Sequence, residues 1–258
     1  MLFRRLFLSA LLAGLCAGLA YSAVQRLQVV PIIAAAEAFE STLPREAPLA
    51  AQPHMPGATA HSHDEAAWEP QDGFERIFWT VVSNVLGATG FALLLIPAFA
   101  WWDRQSGGNA ASLRSGLLWG AAGWFCFFVW PALGLRPELP GEAAAALQAR
   151  QIWWLLTVLC AATGLALLTA GKGHSRWLAA SLLALPFVFG APHADGPAFA
   201  QFSADAAAQM EQLKSRFVVA TAIASAVQWL AIGALAGVVI PRWLRPLLAD
   251  SGDRGALR

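Results

Sequence analysis

The sequence predicts an all-α, polytopic transmembrane helix bundle of six spans, and three observations carry that prediction. Of 258 residues, 57% are hydrophobic and only 13% charged, a balance that belongs to integral membrane proteins. The charged residues are swept out of several long windows of apolar, small and hydroxyl side chains. Those that remain segregate by sign between alternate loops.

Crossing the bilayer core takes about 20 apolar residues in a helix. That requirement selects the windows 6–30, 77–101, 113–135, 151–170 and 217–240. A sixth window, 177–190, is shorter and contains Pro186. It reads as a short, tilted or broken helix, or as a re-entrant segment, in which case the bundle has five spans. The chain 1–258 is one integral membrane domain, with 41–74 as an extracytoplasmic loop that carries histidines.

Charge decides between five and six. With six spans, Arg4, Arg5, Arg104, Arg114, Lys172, Arg176, Arg242, Arg245, Arg254 and Arg258 share one side with only Asp103, Asp250 and Asp253. The other side then holds the remaining seven of 17 basic residues and thirteen of 16 acidic ones, in longer loops. The positive-inside rule favours this arrangement, a multi-pass protein of the bacterial inner membrane with both termini cytoplasmic. With five spans, His193 would leave the face that holds His54, His61 and His63.

The first window resembles a signal peptide, since Arg4 and Arg5 precede LFLSALLAGLCAGLAYSA and Ala20-Tyr21-Ser22 could pass as a cleavage site. The apolar run continues through Val29, Val30, Ile32 and Ile33, longer than a signal core, so it reads as a retained helix. Pro31 bends it near the outer surface. Glu37 and Glu40, three apart, sit on one face of its last turns. They are either a solvated helix end or a pair of metal-attracting carboxylates; the spacing shows a shared face and not ligation.

GxxxG occurs three times, at Gly14–Gly18, Gly116–Gly120 and Gly233–Gly237. Glycines so spaced let helix backbones approach closely in lipid, which implies a compact bundle and says nothing about cargo. The twelve tryptophans cluster near span ends, as at Trp101-Trp102 and Trp153-Trp154, and read as structural anchors. Cys16, Cys126 and Cys160 fall singly in three spans, so neither a disulfide framework nor a zinc knuckle is indicated.

The chemistry lies in the outer loops. The stretch QPHMPGATAHSHDEAAWEPQD, 52–72, contains His54 and an HxH pair, His61 and His63, followed at once by Asp64 and Glu65. In extended chain, residues two apart point to the same side, so both imidazoles can reach one ion while carboxylates add oxygen ligands. A lone HxH is weak evidence, because polar loops carry solvated histidines. Three histidines within ten positions, with His193 on the same face, make divalent metal capture the better reading. His174, between Lys172 and Arg176, is interfacial.

No span carries Asp, Glu, Lys or Arg in its middle, whereas ion-coupled transporters commonly bury such groups. Ser83, Asn84, Thr89 and Gln228 are the obvious polar side chains inside, and Asn84 and Gln228 are candidates for a transport path. Gly171-Lys172-Gly173 lacks the spacing and the following Ser/Thr of a P-loop. Alone, the chain is underequipped to pump, and it reads as a membrane path or capture face that serves a partner.

The N-terminal FRRLFLSALLAGLCAGL, the HxH segment ending in WEPQDGFER, PALGLRPELPG (131–141), RQIWW (150–154) and APH (191–193) together resemble the CbtA family, the probable cobalt transporter subunits of bacteria and archaea. The resemblance runs over essentially the whole chain. It implies cobalt uptake, often linked to cobalamin-dependent regulation, beside a small single-span partner, CbtB, with histidines near its end. It implies about five spans against the six argued above. By resemblance His61, His63, His193, Glu37 and Glu40 are the metal contacts, with His54 and Asp64 as weaker candidates. PALGLRPELPG has a structural job, since Pro131, Pro137 and Pro140 forbid a continuous helix while Gly134 and Gly141 allow reversals. Glu138 has two readings, as a ligand or, the better one, as the partner of Arg136 or Arg150.

The expected function is therefore outward capture of Co²⁺ by neutral imidazoles with carboxylate help, then passage inward past small and polar residues. Protonation competes for the same nitrogens, so binding weakens below about pH 6. The same ligands would take Ni²⁺, Zn²⁺ or, more tightly, Cu²⁺. No enzymatic activity, resident cofactor or nucleic-acid partner is expected; the bilayer is, and a homo-oligomer is compatible with the sequence. Two alternatives stand beside this reading: a non-transporting metal-binding scaffold, and a haem or di-iron membrane enzyme. Five histidines are too few for the histidine-rich di-iron pattern, and none lies within a span to ligate haem.

Overall fold

A computed structural model describes residues 2–41 and 70–246. Among them there is no strand, and the helices follow in the order α1 (Leu2–Val24), α2 (Val30–Glu40), α3 (Phe74–Gln105), α4 (Leu113–Trp124), α5 (Trp130–Ala132), α6 (Leu147–Ala170), α7 (Ser175–Phe189) and α8 (Ala204–Val239). Three π-turns, Gln25–Val29, Phe125–Val129 and Ile240–Leu244, join α1 to α2, join α4 to α5, and extend α8. Five continuous stretches are long and apolar enough to cross a membrane: Phe3–Glu40, Phe74–Gln105, Leu113–Ala132, Leu147–Thr169 and Ala204–Leu244. They contain the five windows expected, apart from a few residues at their ends.

The sixth window becomes α7, with 15 residues and a length of about 22 Å at 1.5 Å per residue, short of the roughly 30 Å hydrocarbon core. It nevertheless runs the return course. Gly164 of α6 faces Ala179 and Leu183 of α7. Near the start of α6, the Trp153 indole donates to Pro186 O (3.1 Å), and Trp130 donates to Leu183 O (3.1 Å). The end of α7 thus lies level with the start of α6. Trp153 is only 6% exposed, so its anchoring is a helix-to-helix hydrogen bond and not the interfacial seat expected of it.

The most closely packed pairs, α1 with α3, α4 with α8 and α6 with α7, are antiparallel. In α1 and α3, Gly14 meets Thr89, Gly18 meets Val85, and Glu37 beyond α1 meets Arg76. In α4 and α8, Gly116 meets Gly237 and Gly120 meets Gly233. The bundle therefore has a proximal end, holding 2–5, 103–115, 171–175 and 240–246, and a distal end, holding 36–41, 70–76, 131–147 and 189–204. The loop with His193 and both flanks of the histidine-bearing segment, Ser41 and Pro70, share the distal end.

The glycine pairs work as direct backbone contacts. A Cβ at Gly233 would stand 2.3 Å from Gly116 O, one at Gly120 2.4 Å from Trp229 O, and one at Gly14 2.4 Å from the Thr89 Cα. Around them Ala10, Ala13, Ala17, Ala88, Ala92, Ile96, Ile232 and Ala236 are buried in one core. At its centre Phe91, Phe127 and Trp229 pack ring on ring, with centroids 4.8–5.2 Å apart.

Two π-turns precede prolines. Val30 N–H reaches back to Gln25 O just before Pro31, and Trp130 N–H reaches Phe125 O just before Pro131. A proline has no N–H and its ring crowds the carbonyl four residues earlier, so widening the preceding turn by one residue lets the helix continue. At Pro31, where the sequence suggested a bend, the helix carries this widened turn.

At the distal end α2 and the first half of α8 stand together as a head, with Val29, Ala36, Leu139, Phe199, Phe202 and Met210 in a second core. The loops that follow α5 and α7 close it. Ala143 N–H donates to Ala198 O (2.8 Å), Gly141 turns with φ +78°, and Lys214 of α8 pairs with Glu142. Glu138 pairs with Arg150, one of the two partners expected.

At the proximal end Asp103, counted from sequence as a loop charge, is 1% exposed. Its carboxylate accepts from Ala111 N–H (2.6 Å) and from the Arg245 guanidinium at 3.1 and 3.3 Å, while Arg245 also donates to Ala111 O (3.2 Å). This latch fastens α3, the start of α4 and the turn after α8.

Gly233→Ala should lower the apparent melting temperature of the purified protein, with a cost of about 1–3 kcal/mol typical of overpacking. Gly87→Ala, whose Cβ would meet nothing within 4 Å, should be neutral or stabilising by about 0.5–1 kcal/mol. Equal behaviour of the two would sink the backbone-contact account. Asp103→Ala should cost about 3 kcal/mol by stranding Arg245, and Asp103→Ala/Arg245→Met should regain part of it in the same thermal assay.

Candidate functional site

A polar cavity of about 380 Å³ opens at the distal end between α3 and the α1–α2 stretch, lined by Gln25, Pro70, Arg76, Trp79, Thr80, Ser83 and Asn84. Asn84 forms its inner wall. The side-chain amide donates to Gln25 Oε1 (2.6 Å) and to Ser22 Oγ (3.0 Å), and the Ser22 hydroxyl in turn donates to Gly18 O (2.8 Å). Both amide hydrogens thus hold α1 against α3. Among the described residues nothing donates to Asn84 Oδ1, which leaves a neutral oxygen acceptor available, with the Ser83 and Thr80 hydroxyls in the same wall. Neutral oxygens can replace part of a cation's hydration shell.

The rim is charged. Arg76 binds Glu37 at 2.5 Å and Asp72 at 3.2 Å, and Glu75 accepts from Gln71 N–H. One guanidinium is therefore held between two carboxylates, Glu37 and Asp72, a surplus of negative charge that raises local cation concentration. The Arg76 and Glu37 side chains are 47% and 38% exposed, and such a pair contributes under about 1 kcal/mol. Glu37 can exchange Arg76 for another cation at little cost.

Glu40 has a different neighbour from Glu37. Its Cγ would be 3.1 Å from a Cβ on Gly141, so it packs over the turn that closes the head. His193 is exposed at the distal end, two residues beyond Ala191, which packs against Gly134. Among the described residues no three His, Cys, Asp or Glu side chains gather at metal-binding distance. His54, His61, His63 and Asp64 lie outside the described residues, between Ser41 and Pro70.

Of the two path candidates, Asn84 lines the cavity, whereas Gln228 is buried in the middle of α8 at 6% exposure and has no hydrogen bond to Asn84. Thr89 is taken up by Gly14 and by its own bond to Val85 O (2.8 Å). Inward of Asn84 the interface is filled by Ala13, Ala17, Ala88 and Ala92, and the Phe91–Phe127–Trp229 cluster fills the middle. The cavity is thus a vestibule with a closed floor.

Sequence reasoning missed Gln25 and Arg76. Gln25 stands beside Arg26 and Gln28 inside a window otherwise apolar, and that polar cluster six residues ahead of Pro31 was the available signal. Arg76 closes the WEPQDGFER motif and stands one residue before an apolar window, and neither place marks it as a pocket residue.

No curated protein and no solved structure shows a match. A family model does: that of CbtA, described as probable cobalt transporter subunit, matches residues 3–241, nearly the full length. The chain, a polytopic helical bundle with a polar cavity opening at its distal end, belongs to the CbtA family of probable cobalt transporter subunits.

Proposed function

We propose that the chain is the membrane subunit of a cobalt uptake transporter, resident in a bacterial inner membrane with its proximal end cytoplasmic. Co²⁺ is captured at the distal face by His61, His63 and His193, assisted by Glu37, Glu40, Asp64 and His54. It then enters the vestibule at Asn84. The observation that carries this reading is the anchoring of the histidine segment: Ser41 follows Glu37 and Glu40 directly, and Pro70 is itself a wall of the polar cavity. Both ends of that segment therefore lie at the distal end, Pro70 in the vestibule wall itself. His193 reaches the same end because α7 runs back along α6.

The floor explains why a partner is needed. Passage beyond Asn84 requires α1 and α3 to part where Gly14 and Gly18 touch Thr89 and Val85, and the described residues hold neither a nucleotide-binding motif nor a mid-span carboxylate to drive it. A small single-span subunit of the CbtB kind, with its own histidines, supplies a second set of ligands. The role is transport and not catalysis.

Cells expressing the chain with and without that partner should differ in uptake of radioactive cobalt. The triple variant His61→Ala/His63→Ala/His193→Ala should lose the partner-dependent part. Loss of outer-shell groups alone weakens metal sites by about 10–100-fold, so loss of three ligands should reduce uptake at least tenfold at limiting cobalt. Uptake indifferent to the substitutions would leave a scaffold whose histidines are incidental. Asn84→Leu should depress uptake while leaving cobalt binding by the purified protein intact, which separates vestibule from capture. Its stability cost should stay near 1–2 kcal/mol, the worth of the two lost bonds.

A further inference from the structure

A second cavity at the distal end has the opposite chemistry. It holds about 250 Å³ beside α5 and the start of α6, with Arg136, Arg150 and Glu138 on one side and Phe127, Phe128 and Trp154 on the other. Two guanidiniums face one carboxylate, for a net charge of +1, which disfavours any divalent cation. This cavity therefore takes no part in the path proposed above.

Its guanidiniums are short of acceptors. Arg150 bonds Glu138 through Nη1, while its Nε is buried without a partner, and no bond from its Nη2 occurs among the described residues. Arg136 is exposed and makes no hydrogen bond or ion pair among the described residues. A guanidinium offers five N–H donors in a planar fork that matches carboxylate and phosphate oxygens. A buried donor left unpaired in a native protein calls for a missing acceptor.

Size and lining narrow the class of ligand. Whole drug-sized molecules need roughly 300–1,000 Å³, so this cavity suits an oxyanion with a few attached carbons. The aromatic wall is suited to those carbons. We propose that the Arg136–Arg150 cavity binds a phosphate or phosphate-ester group, its oxygens held between the two guanidiniums and its carbon substituent against Phe127, Phe128 and Trp154. Two sources carry that chemistry at a membrane surface: the headgroup of an anionic phospholipid, or a free phosphate compound in the outer compartment.

Purified full-length protein separates the possibilities. Phosphatidylglycerol and phosphatidylcholine are added in turn and retained lipid is read by native mass spectrometry; inorganic phosphate is tested by equilibrium binding with radiolabel. Preferential retention of phosphatidylglycerol, cut about tenfold by Arg136→Gln, the usual scale for one charge-assisted hydrogen bond, identifies a lipid headgroup. Binding of inorganic phosphate with the same dependence, without a preference between the lipids, identifies a soluble anion. Arg136 has no structural partner, so this variant should fold even if Arg150→Gln does not. Glu138→Gln provides a test of opposite sign, because removing the competing carboxylate should strengthen binding several-fold. Equal retention of both lipids together with no phosphate binding overturns the proposal, as does a set of variants that bind like wild type.

Discussion

The contact on which the bundle depends is the backbone-to-backbone meeting of α4 and α8 at their paired glycines. Lipid tails are as apolar as leucine, so helices in a membrane gain nothing from hiding apolar surface, and they associate through close packing. Gly116, Gly120, Gly233 and Gly237 let the two backbones touch. Once α8 is so placed, its other side meets the alanines of α1, and α3 closes over Gly14 and Gly18. The central aromatic cluster draws one ring each from α3, from the π-turn after α4 and from α8, so it too requires that spacing.

Backbone polarity is the second constraint, and it shapes the places where the helices deviate. A proline inside a span leaves a carbonyl without its usual donor, and in hydrocarbon that group must find another arrangement. The chain widens a turn ahead of Pro31 and of Pro131. One of these deviations begins at Gln25 and forms part of the vestibule wall, so the same irregularity that accommodates Pro31 presents a polar side chain to Asn84. The polar vestibule and the cationic cavity then divide the distal face between opposite charges.

Much of this fold was legible in the sequence, because its causes are periodic or compositional. Twenty-residue apolar windows and GxxxG spacings announce helices and close contacts directly. The return of α7 followed from charge asymmetry, although its 15 residues fall below the usual span length. What sequence did not reveal depends on pairing between distant residues. Asp103 and Arg245 are 142 positions apart, and each alone looks like a solvated loop charge. Glu37 and Glu40 share a helix face, as their spacing required, yet Arg76 holds one and the Gly141 turn lies under the other. Trp153 read as an interfacial anchor because its partner, a carbonyl near Pro186, has no signature in side-chain identity.

The α4–α8 contact also bears on how the chain assembles. Its two halves are separated by more than a hundred residues that include the whole α6–α7 hairpin. At synthesis rates of about 5–20 residues per second, the glycine face of α4 enters the membrane on the order of ten seconds before α8 exists. During that interval α1, α3 and α4 lack the helix that binds them together, and a close-packing face stands open to lipid and to any neighbouring span. Completion of the bundle is thus a late event, tied to insertion of the last helix. A chain truncated before α8 would lack much of the packing that holds the earlier helices in register.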